Sequence, residues 1–239
     1  MKVDILAFGA HPDDIELGCG GSLAKAVAQG KKVGLIDLTQ GELGTRGSAE
    51  IRKQEATEAA KLLNASFREN LGFRDGFFVN DEAHQLEVIK TIRAYQPNIV
   101  LCNAIDDRHI DHAKGSQLVS DACFLSGLNK IATKDNNGNT QTAWRPARVY
   151  HYIQWKEITP DFVLDISEYI DKKLEVIQAY SSQFFDKESK EPSTPISSKN
   201  FLESVRYRAK NLGRLAGVDA AEGFTVERTP LIMNFDQLA

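Results

Sequence analysis

Long apolar runs are missing. Nothing in the 239 residues approaches the roughly 18 consecutive apolar residues of a membrane span, so no membrane partner is expected. Cysteine is scarce. Cys19, Cys102 and Cys123 are odd in number and far apart, which does not make a disulfide framework. Cys102 and Cys123 read as small buried hydrophobes, while Cys19, closer to the residues singled out below, stays open as a metal-adjacent thiol. Positive charge is not in excess: 29 Lys and Arg stand against 33 Asp and Glu, with a net charge of −4. That excludes the clustered basic footprint of a nucleic-acid binder. The start, MKVDILAFGA, has only a short apolar run, carries Asp4 and leads into glycine. It does not read as a signal peptide, and a soluble, cytoplasmic protein is expected.

What is present is ordinary globular composition, 42% hydrophobic and 26% charged, enough for a buried core in one α/β domain. Val3–Phe8, Lys32–Leu38, Ser66–Leu71 and Asn98–Cys102 are expected strands. Gly20–Gln29, Glu50–Asn64 (with Ser48 as N-cap), Glu82–Tyr95 and His112–Leu125 are expected helices. The alternation implies right-handed crossovers and a Rossmann-like, doubly wound, mainly parallel sheet with helices on both faces. In the order 3-2-1-4, strands 1 and 4 flank the switch point beyond whose carboxyl ends ligands bind. Further on, Val149–Ile153 and Phe162–Ile166 are expected strands, with helices over Glu168–Tyr180 and Phe201–Ala216. The polar stretch Ser181–Asn200, with Pro192 and Pro195, reads as a long loop, a linker or a lid. Residues 1–128 form the expected core and 129–239 an extension of the same domain.

Only five histidines occur, and three lie in two short clusters: Ala10-His11-Pro12-Asp13-Asp14 after strand 1, and Arg108-His109-Ile110-Asp111-His112 after strand 4. Alone, the first could be a turn and the second a helix start capped by Asp111. Their placement at the two switch-point strands points instead to a metal site. Catalytic zinc takes three protein ligands and leaves a fourth position open, a count that His11, Asp14 and His112 satisfy. Pro12 stiffens the first loop. Asp13 is then left as a carboxylate beside the metal, able to take a proton from an activated water. His109 with Asp111 as its carboxylate partner would stay cationic and stabilise an oxyanion. His84 and His151 have no such partners. The competing use of the fold, dinucleotide binding, wants G-x-G-x-x-G straight after strand 1. Here Gly-Ala-His-Pro follows, and Gly18-Cys19-Gly20-Gly21 comes too late. Beyond strand 2, the glycine-rich 39–47 loop faces the same edge. Arg46, Arg52 and Arg108 are candidates to grip an anionic substrate group, Arg52 foremost.

Ala10-His11-Pro12-Asp13-Asp14 with Glu16 and Gly18-Cys19-Gly20-Gly21, together with His109-x-Asp111-His112, resembles the LmbE-like (PIG-L) N-deacetylase family. The resemblance implies zinc on His11, Asp14 and His112, Asp13 as general base, and His109 as oxyanion stabiliser oriented by Asp111. Gly41-Glu42, Arg52 and Glu55 fit a second stretch of the family, which places Glu42 and Arg52 among substrate contacts. Asn70–Gly76 and Ala179-Tyr180-x-x-Gln183-Phe184 are similar to one subgroup, the bacillithiol biosynthesis deacetylases. That similarity implies removal of acetate from N-acetylglucosaminyl malate, and a homo-oligomer, in many relatives a hexamer. Two departures stand out. Ile110 occupies a place where proline is common, and the 181–200 loop lacks the tyrosine some relatives use for the oxyanion. Iron or manganese could use the same ligands as zinc. A metallohydrolase of another N-acyl sugar, an ester or a phosphate, and a non-catalytic metal-binding module, remain the alternatives.

Overall fold

Val33–Thr39 is buried at every position, the pattern of a strand covered on both faces. It is β2 in a computed structural model that describes residues 1–234. The strands are β1 (Ile5–Gly9), β2 (Val33–Thr39), β3 (Phe67–Phe73), β4 (Ile99–Cys102), β5 (Arg148–Tyr152), β6 (Phe162–Asp165) and β7 (Ala221–Val226). The helices are α1 (Asp14–Ala28), α2 (Ala49–Leu62), α3 (Glu82–Tyr95), α4 (Ile110–Leu125), α5 (Ile170–Gln178) and α6 (Lys199–Ala216), with a 3₁₀ turn at Ser167–Tyr169 before α5.

The strands form a single seven-stranded sheet in the order β3-β2-β1-β4-β5-β7-β6. β3 to β5 run parallel, and β7 and β6 close the far edge antiparallel. The order 3-2-1-4 is the expected one. Two apolar clusters cover the faces. One gathers Ile15, Leu23, Ala59, Tyr152, Val176, Tyr180 and Phe201; the other gathers Phe8, Leu38, Phe78, Val88, Ile92, Leu118 and Val119. Side-chain oxygens of Ser48, Asp81 and Ser198 cap α2, α3 and α6 by accepting the backbone N–H of Ile51, His84 and Phe201.

The sequence pattern misses two features. β7 is one, because AEGFTV is short and has no clear period. The other is the start of α1. It begins at Asp14, six residues before the expected Gly20, and breaks at Cys19 (φ −140°). The glycines around that break make a poor helix on their own. Distant residues hold it: both oxygens of Glu222 accept from Gly21 and Ser22 N–H (3.0 and 2.7 Å), and Lys173 Nζ donates to Leu17 O at 2.8 Å. Gly18 is required by close approach, since a Cβ there would sit 2.0 Å from the Tyr152 ring.

Candidate metal centre

β1 and β4 are neighbours in the sheet, so the loops leaving their carboxyl ends meet. The structure brings His11, Asp14 and His112 together, all buried. Asp14 lies between the two imidazoles: its Oδ1 is 3.1 Å from His112 Nε2 and its Oδ2 3.5 Å from His11 Nδ1. The far nitrogen of each ring is held by a carboxylate. His112 Nδ1 is 2.7 Å from Asp107 Oδ2; His11 Nε2 is 3.1 Å from Asp75 Oδ1 and 3.4 Å from Asp111 Oδ2. Asp14 is itself fixed by donors from Asn103 Nδ2 (3.0 Å), Gln154 Nε2 (2.6 Å) and the His11 backbone N–H (3.0 Å). Imidazoles with one nitrogen facing a shared carboxylate and the other anchored to a second carboxylate match the donor set of a zinc site and its supporting residues. A nitrogen of His109 also lies within 4.8 Å of those of His11 and His112.

The electrostatics suit a cation. Burial opposes charge on His112, yet Asp14 and Asp107 outweigh it and push the ring up to about 9. Burial likewise opposes charge on His11, and hydrogen bonds to Asp111, Asp14 and Asp75 raise it. Asp14 goes the other way: burial would raise it, and the two histidines draw it well below the usual carboxylate range. Asp13 differs from all of these. Burial pushes its carboxyl up to about 7, with Arg52 pulling against the rise. It precedes α1 at φ 116°, a backbone conformation that non-glycine residues rarely adopt and that clusters at functional sites.

Several expected placements change. Asp111 does not orient His109 with its carboxylate; its backbone N–H donates to His109 Nδ1 at 3.3 Å. The Asp111 side chain lies in the first turn of α4 and turns to Gly76 N–H and Lys114 Nζ (2.7 Å each), and to His11. Burial, then the neighbouring rings of His11 and His112, lower the His109 pKa, and the charges of Asp14 and Asp111 offset this only in part, opposite to the expected direction. Arg52 lines the cavity but is buried and committed. It donates to Pro12 O (2.5 Å), Gly41 O (3.1 Å) and Asp13 Oδ2 (3.2 Å). Glu42 accepts the Asp75 backbone N–H at 2.8 Å and is not among the cavity-lining residues. Cys19 sits in the break of α1 and does not reach the cavity. Arg46 is buried and donates to Ser189.

Arg108 is at the mouth, its guanidinium 4.6 Å from the centre of the Trp155 ring. Arg208 lines the same cavity and donates to Trp155 O at 3.0 Å. The cavity holds about 420 Å³ and has apolar walls from Leu17, Leu43, Ile110, Trp155, Ile196 and Phe201. The 181–200 loop contributes Ile196 and is tied down by Ser181 and Ser182 donating to Glu55. The sequence assigns no role to Asp107, Asn103 or Gln154, nor to Asp75 inside the Asn70–Gly76 stretch. A lone Asp or Asn in a loop reads as a turn former, and Asp107, five residues before His112, offered the only spacing signal.

The profile of the PIG-L family (GlcNAc-PI de-N-acetylase) matches residues 6–123. The uncharacterized deacetylase YaiS of Escherichia coli is 38% identical over 125 residues, covering 50% of this chain and 67% of YaiS. Diacetylchitobiose deacetylase of Thermococcus kodakarensis is 26% identical over 190 residues, 75% of this chain and 70% of that one. A probable N-acetyl-alpha-D-glucosaminyl L-malate deacetylase 2 of Bacillus anthracis is 26% identical over 200 residues, 77% and 82% of the two chains. A 4-oxalmesaconate hydratase of Pseudomonas putida is as similar, 26% over 193 residues, 74% and 73%. Among solved structures, the conserved protein TT1542 of Thermus thermophilus superposes with a TM-score of 0.86 at 34% identity, over 98% of each chain. With the His-Pro-Asp-Asp loop and the His109–His112 turn facing each other across β1 and β4, the chain belongs to the PIG-L (LmbE-like) family of deacetylases.

Proposed function

We propose that this protein hydrolyses the N-acetyl group of an N-acetylglucosaminyl conjugate, N-acetylglucosaminyl malate first, using a divalent metal held by His11, Asp14 and His112. The observation that carries this is Asp14 between two carboxylate-anchored histidines, with the buried Asp13 one residue away. Zinc fits the donor set; iron or manganese would use the same side chains. When bound, such an ion polarises the amide carbonyl and acidifies a water.

The protein's own groups do the rest. Asp13, with its affinity for a proton raised by burial, takes the proton from the attacking water and returns it to the leaving amine. Arg52 keeps the Asp13 carboxylate and the Pro12 carbonyl in place. His109 accepts at Nδ1 from Asp111 N–H, so in its neutral form the proton sits on Nε2. An Nε2–H can donate to the developing oxyanion without the ring being cationic. The apolar walls exclude water. Arg108 and Arg208, beside Trp155, take the malyl carboxylates in place of the committed Arg52.

The 4-oxalmesaconate hydratase relative supports a second reading, addition of water to an unsaturated tricarboxylate. One experiment separates them: acetate release from N-acetylglucosaminyl malate and from N,N′-diacetylchitobiose, with and without chelator, beside hydration of 4-oxalmesaconate. Chelator-sensitive acetate release is expected. Hydration with no acetate release would overturn the deacetylase reading.

A further inference from the structure

A second cavity, of about 140 Å³, opens where the end of α4, the start of β5 and the end of β7 meet. The metal residues lie beyond the carboxyl ends of β1 and β4; this cavity lies at the amino end of β5, whose first residue is Arg148. Arg145, Arg148 and Arg228 line it, with Cys123, Phe124 and Glu227. Arg145 Nη2 donates to Phe124 O (2.8 Å) and Arg148 Nη1 to Ala147 O (3.0 Å). None of the three arginines has a carboxylate partner among the described residues. Glu227 is the one acid lining the cavity, and its Oε1 is turned to His151 Nε2 at 3.1 Å.

Arg145 is seated rather than loose. Its guanidinium lies 4.3 Å from the centre of the Phe124 ring. A Cβ on Gly127 would fall 2.5 Å from Arg145 Nε and 2.9 Å from its Cβ, so glycine at that position makes room for the side chain. The three arginine side chains are exposed and line one small cavity, so an anion seated there would meet positive charge from each of them. The volume is below the roughly 300–1,000 Å³ of sites for drug-sized ligands, so the anion is small. Guanidinium forks match phosphate oxygens two at a time.

We propose that this cavity binds a phosphate group, free or carried by a small metabolite, at a site separate from the metal centre. The test is titration calorimetry of inorganic phosphate into the full-length protein at fixed ionic strength, repeated with citrate. The expected result is one phosphate per chain in this cavity, weakened about tenfold by Arg148→Ala and again by Arg228→Ala. Arg145→Lys, which keeps the charge and much of the packing while losing the fork, should weaken it as well. Phosphate held at the metal centre would be indifferent to all three changes, and that result, or no binding, overturns the proposal. Tighter uptake of citrate than of phosphate overturns the phosphate assignment. Neither result bears on the deacetylase reading, since no substitution touches that site.

Discussion

Asp107 Oδ2 lies 2.7 Å from His112 Nδ1, and the same carboxylate accepts the backbone N–H of Lys156 at its Oδ1, 3.0 Å away. The ring whose Nε2 faces Asp14 is thus oriented by Asp107, which is itself held by the segment that follows β5. Asp107→Ala is expected to weaken metal affinity about 10- to 100-fold with the fold retained. Competition with a chromophoric chelator measures this. Unchanged affinity would show that His112 needs no such anchor.

Asp13→Asn should keep the metal and the Arg52 contact while lowering turnover about 10²- to 10⁴-fold, the usual range for loss of a general base. Burial pushes Asp13 up to about 7, and Arg52 limits the rise. Removing that positive charge with Arg52→Ala therefore raises the Asp13 pKa further. The acid limb of the kcat profile should move to higher pH, and a limb that stays in place or moves down would detach Arg52 from the base.

Lys173 and Glu222 form a buried ion pair whose atoms also hold the break in α1. Breaking such a pair from one side leaves a buried charge and costs about 3–5 kcal/mol. Glu222→Ala should lower thermal stability strongly. The double change Lys173→Met, Glu222→Gln should lose less than the sum of the single changes. Additive losses in thermal unfolding would mean the two side chains act independently.

His151 is buried on β5. Burial opposes its charge, and the Cys102 sulfur and the Glu227 carboxylate outweigh that, raising the ring to about 10. A raised folded-state pKa gives stability that is fully present below the unfolded value of roughly 6.5 and is lost as pH climbs through about 10. The stability difference between wild type and Glu227→Gln should thus be largest near pH 6 and shrink toward pH 10. A difference that does not change over this range would show that His151 is neutral throughout.

The parallel half of the sheet could be read from the sequence because its apolar runs are bounded by loops and helices of strong period. α3 spans the expected Glu82–Tyr95 to the residue, stopping before Gln96-Pro97. The meeting of the two His–Asp clusters followed from strand order alone. What lay hidden depends on long-range partners. The pairing of Asp111 with His11 rather than His109 is set by which way the first turn of α4 faces, and no spacing rule carries that. Arg52 as an anchor for Asp13 depends on the path of the Gly41 loop. Gln154 becomes visible only when β5 is laid beside β4.

The stretch that carries the family's signature is not the stretch that holds itself together. Residues 6–123 match the profile. Within them, Phe8 O accepts from Tyr152, Asp14 from Gln154, Glu16 from Tyr180, and the N–H groups of Gly21 and Ser22 donate to Glu222. A gene cut near Gly138 would separate every one of these donors from its acceptor. The amino-terminal piece would carry both His–Asp clusters and still leave Glu16 and the Asp14 carboxylate without their distant donors. Each piece made alone should be insoluble or unfolded, and the two made together should recover the enzyme, so the natural unit of inheritance for this site is the whole seven-stranded sheet.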